Sequence, residues 1–257
     1  WFNVYWLLAG ACALTIALLA TSTLDESAAH ARGHNNSFGD AIMEMLRLFV
    51  RPLVYVFLAS AFLYVLIEQS FGTWLPTFNN EILKLPNAMS IQFASILAGM
   101  TALGRIGAGF VLKRVRWYAL LNACVIGMGG LVVVVLPLAR GVAARLDVGW
   151  FNAPLAAYLI PLLGLLMAPI YPVINSVALS SLPKPMHAAM TGLIVVFSAL
   201  GGTLGSYITA RVFASYDGID AFYFSLLPMS LILLTLFFFK RETDSVGVIP
   251  AIRLAAK

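Results

Sequence analysis

The stretch YALLNACVIGMGGLVVVVLPL, from Tyr118 to Leu138, holds no charged residue and one side-chain amide, Asn122. Coiled as an α-helix it extends about 31 Å, close to the thickness of a bilayer's hydrocarbon layer. Working outward from it in both directions gives six more stretches of the same kind. The set is Val4–Leu24, Pro52–Pro76, Ser90–Leu112, Tyr118–Leu138, Pro154–Leu179, Ala188–Phe213 and Phe222–Phe239. Inside lipid each backbone polar group has to be satisfied within its own segment, so each stretch is expected to be helical. The two-residue alternation of a membrane-barrel strand is absent from all of them.

The composition agrees. Hydrophobic residues make up 61% of the 257 and charged residues 11%, and the mean hydropathy is +0.92. A soluble domain has roughly half apolar and a quarter charged residues, so lipid must cover what water cannot. The fold class is therefore an all-α membrane protein of about seven transmembrane helices. Cys12 and Cys124 both lie inside apolar runs and read as small hydrophobes, not as a disulfide framework or metal site.

The net charge of +5 comes from Lys and Arg placed between the spans. That pattern is the one topology demands and gives no reason to expect nucleic acid as a partner. Counted by alternate loops, one side carries eleven basic residues (Arg32, Arg47, Arg51, Lys113, Arg114, Arg116, Lys184, Lys240, Arg241, Arg253 and Lys257). The other carries four (Lys84, Arg140, Arg145 and Arg211), and Arg105 lies within a span. The richer side is expected to be cytoplasmic, with the protein in the plasma (inner) membrane and its C-terminus inside.

The connections set out the expected domains. Residues 1–24 are a helix, and residues 25–51 a cytoplasmic linker holding His30, His34, Asn35, Asn36, Gly39 and the short amphipathic stretch Ala41–Phe49. Residues 52–240 form six spans joined by short turns, and residues 241–257 a cytoplasmic tail. The opening run lacks a basic n-region and a small-residue cleavage site, unlike a signal peptide. With Trp1 as its first residue, the chain reads as a fragment whose upstream part is missing.

Residues that break the apolar pattern are candidates for function. Glu68 lies well inside the second span, where an ionised carboxylate is costly. It has to face a watery cavity, meet a partner or take up a proton; a structural acid bonded to a neighbouring helix is the plainer alternative. A carboxyl group that loads and releases a proton is what ion-coupled transport requires. Tyr64, Glu68, Phe71 and Leu75 share one helical face by spacing. Aromatic rings beside hydrogen-bonding groups suit a sugar; Trp74 reads equally as an interfacial belt residue.

The fifth span contains Pro161, Pro169 and Pro172, with Tyr171, Asn175 and Ser176 close by. Each proline removes a backbone donor, and broken helices at membrane depth are tolerated where a cavity or a neighbour meets the freed groups. Gly99, Gly104, Gly107 and Gly109, and later Gly201, Gly202 and Gly205, allow helices to approach closely. No glycine run precedes a P-loop signature. Gln92, Asn122 and Ser198 are single polar residues inside spans, suited to interhelical hydrogen bonds or to ligand contact. His30, His34 and His187 lie in or near loops and read as solvated.

Several of these residues fall into a known pattern. Gly104-Arg105-Ile-Gly107-Ala-Gly109-Phe-Val-Leu-Lys113-Arg114-Val-Arg116 resembles the basic loop motif of the major facilitator superfamily. Lys113 stands where that motif usually has an acid, and Val115 where it has glycine. Phe62-Leu63-Tyr64-Val65, then Glu68-Gln69-Ser70 and Trp74-Leu75, resemble the seventh helix of the fucose–proton symporter branch. Ile170-Tyr171-Pro172-Val-Ile-Asn175-Ser176 resembles that branch's tenth helix. The resemblance implies the sixth helix, central loop and C-terminal six-helix half of a twelve-helix transporter working by alternating access. It also implies a conformational loop at Arg105, Lys113 and Arg114. With its motifs taken together with the single polar residues Asn122 and Ser198, the expected substrate contacts are Tyr64, Glu68, Gln69, Trp74, Asn122, Tyr171, Asn175 and Ser198.

The leading expectation is a proton-coupled carrier of a small polar solute, a monosaccharide, with a proton or other cation gradient as driving force and no cofactor. Its expected partners are the solute, the lipid bilayer and the missing N-terminal half. An efflux carrier for amphipathic compounds, with Met100, Met167 and Phe197 facing inward, is the nearest alternative. A receptor or scaffold on the same fold is another. An intramembrane enzyme lacks support: no H-E-x-x-H occurs, and no span pairs a histidine with the one clear mid-span acid.

Overall fold

The computed structural model describes residues 2–22, 38–144 and 147–245. His30, His34, Asn35, Asn36, Arg32, Arg145 and the tail from 246 onward lie outside them. The described residues form α-helices and one 3₁₀ turn, with no strand among them. Seven helical stretches among them are long and apolar enough to cross a membrane. These are Val4–Thr21, Pro52–Glu81, Asn87–Val111, Trp117–Ala139, Leu155–Ser180, Lys184–Ser215 and Gly218–Ser245.

The chain divides into two compact units, Trp1–Ala41 and Ile42–Lys257. The first contains α1 (Phe2–Thr21), whose side chains from Val4 onward are all exposed. Helix α2 spans Phe38–Phe49; its part within the second unit, from Ile42 on, buries Leu48, lays Met45 against Gly192 and stacks Phe49 on Phe197 at 5.5 Å.

Helix α3 (Pro52–Glu81) is the organising element of the larger unit. Pro52 occupies the first turn, where its missing N–H costs nothing. Pro76 falls inside the helix without ending it. The proline ring crowds the carbonyl four residues earlier, and there Gly72, with no Cβ and open space around it, can yield. Over its length of about 45 Å, α3 packs against α4 (Asn87–Val111), α8 (Ile170–Ser180), α9 (His187–Ser215), α10 (Gly218–Tyr223) and α11 (Leu226–Ser245).

Glycines set the two closest seams. On α9, Gly201 and Gly205 lie directly against the backbone of Phe62 and Leu66 on α3, leaving no room for a Cβ. Ser70 Oγ donates to Leu66 O at 2.7 Å and reaches Gly205 O at 3.2 Å across the same seam. On α4, Gly104 meets Leu165 and Ala168, and Gly164 meets Leu97 and Thr101 in return. This pairing docks α4 on α7 (Leu162–Met167).

The proline-rich span is divided where its sequence says it should be. Helix α6 (Leu155–Leu159) stops before Pro161, α7 stops before Pro169, and α8 starts at Ile170. Pro172 sits in the first turn of α8, where a missing donor is tolerated. Helix α5 (Trp117–Ala139) packs on α6, α7 and α11. The last span is also divided: Asp217 caps α10 by accepting from Ile219 N at 2.6 Å and Asp220 N at 2.9 Å. Phe222 of α10 then packs between Phe71 and Phe78, with ring centroids 4.7 and 4.5 Å away.

Candidate functional site

Near the middle of α3, the Tyr64 and Glu68 side chains meet one turn apart, the Tyr64 hydroxyl donating to Glu68 Oε1 at 3.2 Å. Tyr64 is 1% exposed, so its hydroxyl needs a polar partner and Glu68 supplies it. Its ring stacks on Tyr171 of α8, centroids 5.7 Å apart and planes 24° apart. The Tyr171 hydroxyl in turn lies 2.9 Å from Ser198 Oγ on α9. From α4, Arg105 Nη2 approaches Glu68 Oε1 to 3.9 Å. Four helices thus bring two phenols, an alcohol, a carboxylate and a guanidinium together.

Local sequence explains why these side chains converge. Gly201, three residues past Ser198, presses α9 onto α3 beside Tyr64. Gly104 presses α4 onto α7, and the next residue, Arg105, is turned by about 100° toward α3. The helix break before Ile170 places Tyr171 in the first turn of α8, free of the straight path of α7.

The cluster is not sealed. The Arg105 side chain is 56% exposed and Glu68 32%. A guanidinium does not lose its proton in proteins. At membrane depth it does not face lipid without a counter-ion, so this side of α4 reads as lining a polar space.

The other expected site residues have separate surroundings. Asn175 lies one turn beyond Tyr171 and is half-buried, its Oδ1 buried and without a hydrogen-bond partner among the described residues. Trp74 donates Nε1–H to Ser206 O at 3.0 Å and stacks on Phe213, which ties it to α9. Gln69 is exposed beside Gly202 and Thr73. Asn122 donates to the Tyr118 carbonyl of its own helix at 2.7 Å. Lys113 and Arg114 are exposed in the turn after α4, Lys113 lying over the Phe110 ring. Met167 is buried in the core, Phe197 stacks on Phe49, and His187 Nε2 lies 3.0 Å from Leu182 O.

Sequence reasoning assigned Arg105 to the loop motif, whereas its side chain joins Glu68. The signal was present: Glu68 and Arg105 are the two charged residues set well inside the expected spans, Arg211 lying two residues from the end of its own, and opposite charges at depth seek each other.

The chain is similar to known proteins in both sequence and fold. Residues 1–206 match the profile of the Major Facilitator Superfamily. Bypass of stop codon protein 6 of Saccharomyces cerevisiae is 29% identical over 193 residues, covering 69% of this chain and 34% of the yeast protein. The crystal structure of the E. coli fucose:proton symporter superposes with a TM-score of 0.68 at 17% identity. That match covers 92% of this chain and 55% of the symporter, and shows a shared fold. The chain thus spans about a third of the yeast relative and about half of the symporter.

Proposed function

The chain belongs to the major facilitator superfamily, as a multi-pass integral membrane protein, and on that premise we propose that it forms the C-terminal half of a secondary transporter. The transporter carries a small polar solute with a sugar-like mixture of ring and hydroxyls, coupled to protons, by alternating access. The observation that supports this reading best is the convergence of Tyr64, Glu68, Tyr171, Ser198 and Arg105 from four helices. Aromatic faces pack on the C–H face of a sugar ring, while the hydroxyls and the Glu68 carboxylate bond its edges. Glu68 is the proton-accepting candidate on this half, and residues 1–21 and the exposed faces of α4 and α9 are where a second half would join. Lys113 and Arg114 belong to the cytoplasmic turn that changes partners as the halves rock. Gln69, which follows Glu68, and Asn175, one turn beyond Tyr171, extend this group along α3 and α8, while Trp74 is bonded to Ser206 and Asn122 to Tyr118.

Uptake into sealed vesicles containing the whole transporter tests the proposal. Labelled fucose, galactose, glucose and N-acetylglucosamine are offered with and without an inward proton gradient. The expected result is gradient-driven accumulation of a solute in wild type, with accumulation abolished or uncoupled in Glu68→Gln. Accumulation that Glu68→Gln leaves untouched would remove the proton role from Glu68. Absence of gradient-driven uptake throughout would contradict the symport reading.

A further inference from the structure

The carbohydrate reading leaves one group unexplained. A neutral sugar asks for hydrogen-bond donors and acceptors, yet the site contains a permanently charged guanidinium. Among the described residues the acid that faces Arg105 is Glu68, and the pairing is poor. One nitrogen reaches one oxygen at 3.9 Å, whereas a charge-assisted fork holds two N–H···O bonds at about 2.8 Å. That same Oε1 already accepts from the Tyr64 hydroxyl at 3.2 Å. With its side chain 56% exposed, Arg105 keeps most of its five donors turned toward open space.

Resting on the solute-carrier reading of this site, we propose that Arg105 is the substrate's carboxylate receptor and that the transported solute is a hydroxylated acid, such as a sugar acid. The solute's carboxylate forms the fork that Glu68 does not, displacing Glu68 from Arg105 while Tyr64 retains it. Tyr171 and Ser198 face the solute's hydroxyls. Every group brought against the pair has a place in this scheme: Tyr64 and Glu68 from α3, Arg105 from α4, Tyr171 from α8 and Ser198 from α9. Only Arg105 and Glu68 among them are charged. A monocarboxylate on Arg105 is balanced once Glu68, displaced and held by Tyr64, takes up the coupled proton; a phosphate dianion would leave net negative charge at membrane depth even then.

Glucose and glucuronate differ only at C6, a hydroxymethyl group against a carboxylate, and serve as the probe pair. Equilibrium binding is measured on the whole transporter in detergent. Wild type is expected to favour glucuronate by about tenfold or more. Arg105→Gln is expected to weaken glucuronate roughly 30-fold or more, while changing glucose by no more than about twofold. Arg105→Lys keeps the charge without the planar fork, so an intermediate loss is expected even if the glutamine variant folds poorly. Glu68→Gln removes the resident competitor and is expected to tighten glucuronate several-fold. Glucose bound as well as glucuronate, or both ligands weakened equally by Arg105→Gln, overturns the inference and leaves the solute-carrier reading standing. Binding of neither probe, together with failure of the sugar-uptake assay, overturns both.

Discussion

Against α9, helix α3 packs backbone to backbone: Gly201 and Gly205 touch Phe62 and Leu66, and Ser70 stitches the two helices. Against α4, the same helix offers Glu68 to Arg105 at 3.9 Å through two flexible side chains, both partly exposed. The first seam has no alternative arrangement, because a backbone contact cannot be relieved by changing a rotamer. The second can open or change partners by rotating a few side-chain bonds. A transporter needs both kinds of contact, one to move helices as a block and one to exchange a resident group for a solute. The contrast teaches that in this molecule steric contacts fix the frame and electrostatic contacts carry the change.

The strongest way to break that contrast is to put a side chain into the rigid seam. Gly205→Leu is expected to lower stability by about 3 kcal/mol or more, read as a shifted SDS unfolding midpoint or lost monodispersity. A fully stable Gly205→Leu would mean that α9 slides on α3. Gly104→Ala drives a methyl toward Leu165 and Ala168 on α7. It is expected to cost about 1–3 kcal/mol and, by turning α4, to weaken solute binding as well. An unfolding titration paired with a binding isotherm checks both effects. Gly107 has open space around its Cβ position, so Gly107→Ala is expected to stabilise α4 by about 0.5–1 kcal/mol. A loss instead would show that another surface covers this face in the whole transporter. The smallest stability effect sharpens the mobile side. Tyr171→Phe removes the hydroxyl bonded to Ser198 and is expected to cost about 0.6 kcal/mol, typical of hydrogen bonds between membrane helices, while lowering solute affinity more than stability.

Much of the frame was legible because lipid imposes one requirement on every span, and residues 118–138 meet it without exception. The breaks in the fifth span were equally legible, since Pro161 and Pro169 each remove a donor at the observed boundary. The second expected span ended at Pro76, whereas the helix runs on to Glu81, the proline being tolerated by Gly72 a turn earlier. The short helix α10 was missed because its start depends on the Asp217 cap, a local bond that a hydropathy window averages away. Within the site, Tyr64 and Glu68 were readable together from spacing alone. Their partners on α4, α8 and α9 were not, because helix rotation is set by which glycine meets which backbone. That explains why Arg105 read as part of a loop motif, and why the bonds of Asn122 to Tyr118 and of Trp74 to Ser206 were not legible in advance.

The central claim is that the group around Glu68 lines the solute's path. It is tested most directly by solute protection of a cysteine placed at Ser198, in a background with Cys12→Ser and Cys124→Ala. The whole transporter is treated with a small charged thiol reagent while the solute is titrated. The account predicts that Ser198→Cys reacts about tenfold more slowly at a solute concentration about ten times Kd, by simple occupancy. Thr203→Cys, exposed elsewhere on α9, is predicted to react at an unchanged rate. Equal rates at Ser198→Cys with and without a solute that the transporter accumulates would contradict the account.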